Sequence, residues 1–224
     1  MAGLEIVHKL PEPVAAAYAN QLNLGAGENG MIVDFGGGTF DVTVLTNRGR
    51  GLEPIALHGD DCLGGDDFDQ ALASHVASAV WTQDQVDITH EVVAWERILL
   101  ECEQTKRALS KLPRARLRVP DAYRKHSGRS DLDLVLDRQG VEPAWKDLVD
   151  RALRVTAEAM LSAGLRPKDL AVVLLVGGTT YVPLVRAGVE RMLQQAGRSA
   201  CDPQLAVAIG AAMVADRHRS ARAA

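Results

Sequence analysis

Asp34-Phe35-Gly36-Gly37-Gly38-Thr39-Phe40-Asp41 is the stretch whose residue types are best suited to chemistry. Three successive glycines remove every Cβ that would keep a phosphate off the backbone, and they leave N–H groups free to point at it. Thr39 adds a hydroxyl donor. Asp34 and Asp41 are placed to hold the waters of a magnesium ion. A plain glycine-rich hairpin turn would use the same glycines but needs neither the two acids nor the threonine. The Asp-Phe-Gly of protein kinases is excluded, because no strand lysine, kinase Gly-rich loop or catalytic-loop signature accompanies it.

Two further stretches have types and spacing that suit a nucleotide. Glu103, Lys106, Arg107 and Ser110 are three, four and seven residues apart, so on a helix they share one side. Such a side can grip a ribose and stack a guanidinium plane on a base. Read alone, it is equally a solvated face carrying an ion pair. Gly177-Gly178-Thr179-Thr180 follows a run of apolar residues and precedes a helix, the place where open α/β sheets bind ligands. Read alone, it is a tight turn.

The elements that must carry these residues follow from period and punctuation. Pro13 and the alanines behind it predict a helix from Glu12. Residues 31–34 and 40–45 read as two strands joined through the glycines, with a third strand near 54–58. Phe68, Leu72, Val76 and Val80 mark one helix, capped by Asp66 or Asp67, and Val92, Trp95, Leu99, Cys102 and Leu109 mark a second. Residues 117–119 and 132–136 predict short, half-exposed strands. Leu148, Ala152, Val155, Ala159 and Met160 form a helical stripe ended by Gly164. The unbroken apolar run Leu170–Val176 predicts a central strand covered on both faces. A helix follows from Pro183, and a last one begins at Asp202-Pro203 and gives way to a frayed basic tail.

The 224 residues are 47% apolar and 24% charged, enough for a sizeable core and too apolar for a disordered chain. A net charge of −4 gives no whole-molecule attraction to nucleic acid or to an anionic membrane. From Lys106 to Arg129 nine basic residues face one acid, Asp121, which reads as a solvated face rather than a nucleic-acid surface. Three scattered cysteines predict reduced thiols and a cytoplasmic protein, and no leader or membrane span is expected. The six histidines show no metal spacing and no serine partner along the chain, and the three tryptophans read as packing residues.

Four strings occur in one order: the Asp34–Asp41 motif, Leu-Gly-Gly-Asp-Asp-Phe-Asp at 63–69, Val-Gly-Gly-Thr-Thr-Tyr-Val-Pro at 176–183 and Asp-Pro-Gln-Leu-Ala-Val-Ala-Ile-Gly-Ala-Ala at 202–212. With the helix from Glu12 and the cluster at 103–110, they closely resemble the nucleotide-binding domain of DnaK-type, seventy-kilodalton heat-shock chaperones, over residues 2–215. The resemblance implies an α/β fold, a ribonuclease-H-like (actin-like ATPase) lobe at 14–63 and 141–224. An inserted α+β subdomain spans 64–140, and residues 1–13 are a remnant leading into the connecting helix.

The same resemblance implies ATP or ADP with Mg2+ as ligands. Gly36, Gly37, Gly38 and Thr39 would cradle the β- and γ-phosphates. Asp34 and Asp41 would stand in the magnesium shell, and Glu12 would approach the metal through water. Glu103, Lys106 and Ser110 would bond ribose and adenine, with Arg107 stacked on the base. Gly65, Gly177 and Gly178 would admit the nucleotide to the backbone. Tyr181 stands where the family has an arginine against the adenine, and Gln204 where it has an acid. Only the second lobe is matched, so the expectation is nucleotide binding with little hydrolysis. A missing first lobe or a GrpE-type exchange factor is the implied protein partner, with neither nucleic acid nor membrane. The alternative expectation is a non-enzymatic interaction module, a truncated relative that binds a partner or itself.

Overall fold

Pro13 in the first turn and four alanines build α1, Glu12–Ala19, whose buried side is Ala15, Ala16, Ala17 and Ala19. The computed structural model describes residues 6, 9–49, 51–126 and 128–223; of the expected remnant at 1–13, residues 1–5, 7 and 8 lie outside the described residues. Three strands then form an antiparallel meander: β1, Asn29–Phe35, β2, Phe40–Asn47, and β3, Leu52–Asp60. The chain leaves this sheet for α2, Gly65–Asp84, α3, Val92–Leu109, and a hairpin of β4, Arg114–Lys125, and β5, Gly128–Asp137. It returns through α4, Arg138–Ala163, which runs unbroken across 140/141 and ends at Gly164 with φ 67°.

β6, Leu170–Val176, then pairs parallel with β1, giving the order β3-β2-β1-β6. α5, Pro183–Leu193, and α6, Ala206–Ala223, complete the chain. This is an α/β architecture around a mixed sheet. One face of the sheet, with Met31, Val33, Phe35, Val42, Val44, Val173 and Leu175, joins the main core with α2, α4 and α5. The other face, with Ile32, Leu45, Val172, Leu174 and Val176, packs on the alanines of α1 and on Ala206 of α6.

Several elements depart from the sequence reading. β6 is covered on both faces as its apolar run demands, but it ends the sheet instead of lying at its centre. Its free edge is closed by the segment at Arg198, whose N–H donates to the Val173 carbonyl and whose carbonyl accepts from Leu175. The buried stripe of α3 is Ala94, Ile98, Cys102, Thr105, Lys106 and Leu109, while Val92 is exposed. Neither Asp66 nor Asp67 is the cap residue of α2: Gly64 holds that position, and Asp67 reaches back from the first turn to accept from its N–H. The β4 and β5 strands are longer than expected. Three arginines of the basic stretch pair with β5 acids, Arg114 with Asp137, Arg116 with Asp133 and Arg118 with Asp131. α6 starts at Ala206, because Asp202 turns the chain first, and it stays helical to Ala223.

Candidate functional site

Gly36 N–H donates to the Thr39 carbonyl at 3.0 Å and closes the β1–β2 turn. At Gly38 an added Cβ would meet nothing within 4 Å, and at Gly36 and Gly37 it would meet only ordinary contacts, 3.6 Å from the Thr39 carbonyl and 3.7 Å from Asp66 Oδ1. None of the three has the positive φ that favours glycine. The fold itself therefore does not require glycine at this tip. Gly177 is the opposite case, with φ 82° and a Cβ that would strike the Phe35 carbonyl.

Three loops are stitched together beneath the tip. The Gly36 carbonyl accepts from Thr179 Oγ1 at 2.8 Å and from Gly65 N–H at 3.0 Å, and the Gly37 carbonyl accepts from Asp66 N–H at 2.8 Å. At Gly65 and Gly177, expected to admit a ligand, the missing side chain lets these loops approach one another. At Gly178 the space a Cβ would need is filled by the Gln204 side chain.

Asp34 and Asp41 face each other directly across the hairpin. Burial, the Asp41 charge and then the Glu12 charge push the Asp34 carboxyl up to about 6. Asp41 is also raised, by burial, Asp61 and Glu12, while the Thr39 hydroxyl pulls the other way. The start of α1 thus brings Glu12 within electrostatic reach of both acids, and Asp61, which the sequence reading passed over, adds to them. Among the described residues no Lys, Arg or His pairs with any of these four carboxylates. Nor does any group of three or more His, Cys, Asp or Glu among them converge as direct metal ligands.

A cavity of about 220 Å³ lies beside this tip, lined by Lys106, Arg107, Ser110, Lys111, Gly178, Tyr181, Val182, Asp202 and Gln204. Six residues singled out in the sequence meet here from three separate segments. Lys106 is buried and joins cavity to loops: its Nζ donates to the Gly65 carbonyl at 2.8 Å and to Asp69 Oδ2 at 2.7 Å. Two of its three N–H bonds are thereby spent inside the protein, so it is a structural strut with one N–H left for the ribose role expected of it. Burial holds the Asp69 carboxyl up at about 6 although Lys106 opposes the shift.

Arg107 is half exposed, its Nη1 3.4 Å from Glu103 Oε1. Glu103 itself does not line the cavity; it lies on the neighbouring groove between α2 and α3, with Asp66, Asp69 and Leu99. Ser110 Oγ donates to the Lys106 carbonyl at 3.0 Å and keeps its lone pairs available. Tyr181 donates its hydroxyl to Asp202 Oδ1 at 3.0 Å, and the same oxygen accepts from Gln204 N–H at 3.0 Å. Thr179, Asp69 and Asp202 stand in the motifs of the sequence reading but, like Lys111, had no role of their own there; here they brace the loops or line the cavity. One histidine does have a serine partner, His58 Nε2 lying 2.7 Å from Ser162 Oγ and tying β3 to α4. No helix among the described residues is long and apolar enough to cross a membrane. Compared with known families, the chain matches the profile described as Hsp70 protein over residues 1–223.

Proposed function

The chain belongs to the Hsp70 family, nucleotide-binding chaperones with an actin-like ATPase fold, and from that premise we propose that it is an adenine-nucleotide-binding lobe whose residues hold ADP or ATP but hydrolyse little by themselves. One observation carries this reading. A glycine tip whose Cβ space is open to the outside is joined, through Gly65, Thr179 and Lys106, to a base-sized cavity. The glycines make sense if phosphates occupy the space the protein leaves beside them.

In this reading the base enters between Arg107 and Tyr181, whose guanidinium and ring offer two stacking planes. Ser110 and the remaining Lys106 proton face the nucleoside. The N–H groups at Gly37 and Gly38 and the Thr39 hydroxyl receive the phosphate oxygens. Asp34, Asp41 and Glu12 fit a hydrated Mg2+, because they are carboxylates without a cation and too few to strip the ion of its water. Bound there, the ion would neutralise phosphate charge. Phosphoryl transfer to water needs positioning and charge stabilisation on both sides of the transferred group, and the residues of this chain supply one side. A cytoplasmic setting, a role in the stress response and a GrpE-type partner for the α2–β5 unit complete the proposal.

Calorimetric titration of ADP into the chain, with and without Mg2+, is the test. Binding that weakens without Mg2+ and falls about tenfold or more in Arg107→Ala supports the reading. No heat at millimolar ADP from a folded chain would overturn it. ATP turnover abolished by changing both Asp34 and Asp41 to Ala would overturn the statement that the chain hydrolyses little.

A further inference from the structure

The groove between α2 and α3 differs in chemistry from the cavity beside it. It holds about 480 Å³, and Asp66, Asp69, Glu96, Leu99, Leu100 and Glu103 are among its lining residues. Glu96 and Glu103 stand two turns apart on α3, about 10 Å along its axis. Leu99 and Leu100 lie between them, and Leu100 is 66% exposed. Among the described residues the four carboxylates meet two cations, Lys106 on Asp69 and Arg107 on Glu103, while Asp66 and Glu96 pair with none. The charges of Glu103 and Asp66 both act on Asp69, so three acids gather at one end of the groove. The Asp69 side chain is only 8% exposed, yet its Oδ1 has no hydrogen-bond partner. A buried carboxylate oxygen without a donor is costly, and this one belongs to a residue of the groove wall.

Along the groove the order is therefore acid, apolar, acid. No three of these groups converge as direct ligands of a metal ion. What matches them is a flexible chain with charged ends and an apolar middle. We propose that the groove binds a linear alkyl polyamine: one ammonium pairs with Glu96, the methylenes lie over Leu99 and Leu100, and the other end enters among Glu103, Asp66 and Asp69. Spermidine, extended, spans about the length between the two ends. Burial of its methylenes adds to charge pairs that are weak by themselves. A lysine side chain of a peptide has the same stem but a single ammonium, so it meets one end of the groove and not both. The site goes beyond the nucleotide reading and does not depend on it, since neither the glycine tip nor Tyr181 takes part.

The experiment is calorimetry of the nucleotide-free full chain at low ionic strength, with spermidine, putrescine, Mg2+ and an oligolysine peptide as probes. Spermidine binds about tenfold more tightly than putrescine, which is too short to reach both ends, and than Mg2+, which brings charge without a chain. At pH 6 the binding releases protons. Burial holds the Asp69 carboxyl up at about 6 against the pull of Lys106, and an arriving ammonium favours its charged form. At pH 8 that release is gone. Glu96→Gln lowers the affinity about fivefold. Leu100→Lys lays an ammonium of the protein's own over the apolar floor and abolishes binding. Both positions are exposed, so the thermal midpoint stays where it was.

Equal spermidine affinity in the unaltered chain and both variants would reveal a general attraction to an acidic protein and overturn the site. Putrescine or Mg2+ binding as tightly as spermidine would overturn it too, as would the absence of heat at millimolar spermidine. An oligolysine peptide that binds more tightly than spermidine, and is lost in the same two variants, would replace the polyamine by a basic segment. A separate ADP titration decides the nucleotide reading, so the two can fail independently.

Discussion

In the β1–β2 hairpin Asp34 lies directly across from Asp41, whereas in the β4–β5 hairpin Arg114 lies directly across from Asp137 and Arg116 grips Asp133 with two hydrogen bonds of 2.5 and 2.6 Å. Like charges opposite each other destabilise a hairpin and opposite charges support it. The inserted hairpin therefore matches its charges inside itself, and the first hairpin does not. The glycines repeat the contrast: those at 36–38 answer no need of the fold, while Gly177 is demanded by the Phe35 carbonyl beside it. Unmatched charge and unneeded glycine together are what the proposed nucleotide and its ion would answer.

Substitution at the tip should separate binding from folding most sharply. Gly38→Ala adds a methyl group that touches no protein atom within 4 Å. It should leave the thermal midpoint unchanged or raise stability by about 0.4–1 kcal/mol, through a less flexible unfolded chain. ADP affinity should nevertheless fall about tenfold to a hundredfold as the backbone loses its hydrogen bonds to phosphate. Thermal melts and calorimetry on the same preparation check both halves. A large loss of stability would mean that the tip is structural after all.

Asp34→Asn should have a smaller effect on ADP affinity, and it should stabilise the fold. A carboxyl held at about 6 in the fold and near 3.8 outside it binds its proton more readily when folded, so it destabilises the protein above pH 6. That penalty is relieved as pH falls from 6 towards 3.8. The amide removes it altogether, adding on the order of 1–2 kcal/mol at pH 7.5, and it flattens the gain in thermal midpoint that the unaltered protein shows between pH 7.5 and 5.5. The Mg2+-dependent part of ADP binding should be lost in the same variant.

Arg116→Ala should do least. It opens one exposed ion pair of the β4–β5 ladder, so the thermal midpoint should move less than in Asp34→Asn and the ADP affinity should stay as it was. A change in nucleotide affinity comparable to that of Gly38→Ala would erase the distinction between the two hairpins.

The meander and its glycine tip were legible in the sequence because alternation and turn chemistry are local. The charge balance of the inserted hairpin was not: the basic window closed at Arg129, and its partners Asp131, Asp133 and Asp137 come directly after it. The spacing of Lys106 from Glu103, Arg107 and Ser110 sets it on one polar side of the helix, although its spacing from Cys102 and Leu109 also sets it in the apolar stripe. Asp69 likewise sits between Phe68 and Leu72. Two charges embedded in two apolar stripes are the signal for a buried pair, and it is readable only when the stripes are taken together. The position of β6 was hidden for another reason. An apolar run reports which faces are covered and says nothing about which strands lie alongside.

The pairing of β1 with β6 also has a kinetic side. It brings Asn29 against Leu170, and the Asn29 side chain donates to the Asp169 carbonyl 140 residues away in sequence. Both hairpins and α2 through α4 can assemble from neighbours in the chain, but this strand can dock only after a long loop has closed. The corner at Gly177 and the floor of the cavity depend on that docking, so they form late. In a refolding experiment the ability to hold a nucleotide should lag behind the return of helix and strand, which makes the ligand a reporter of the last step of folding.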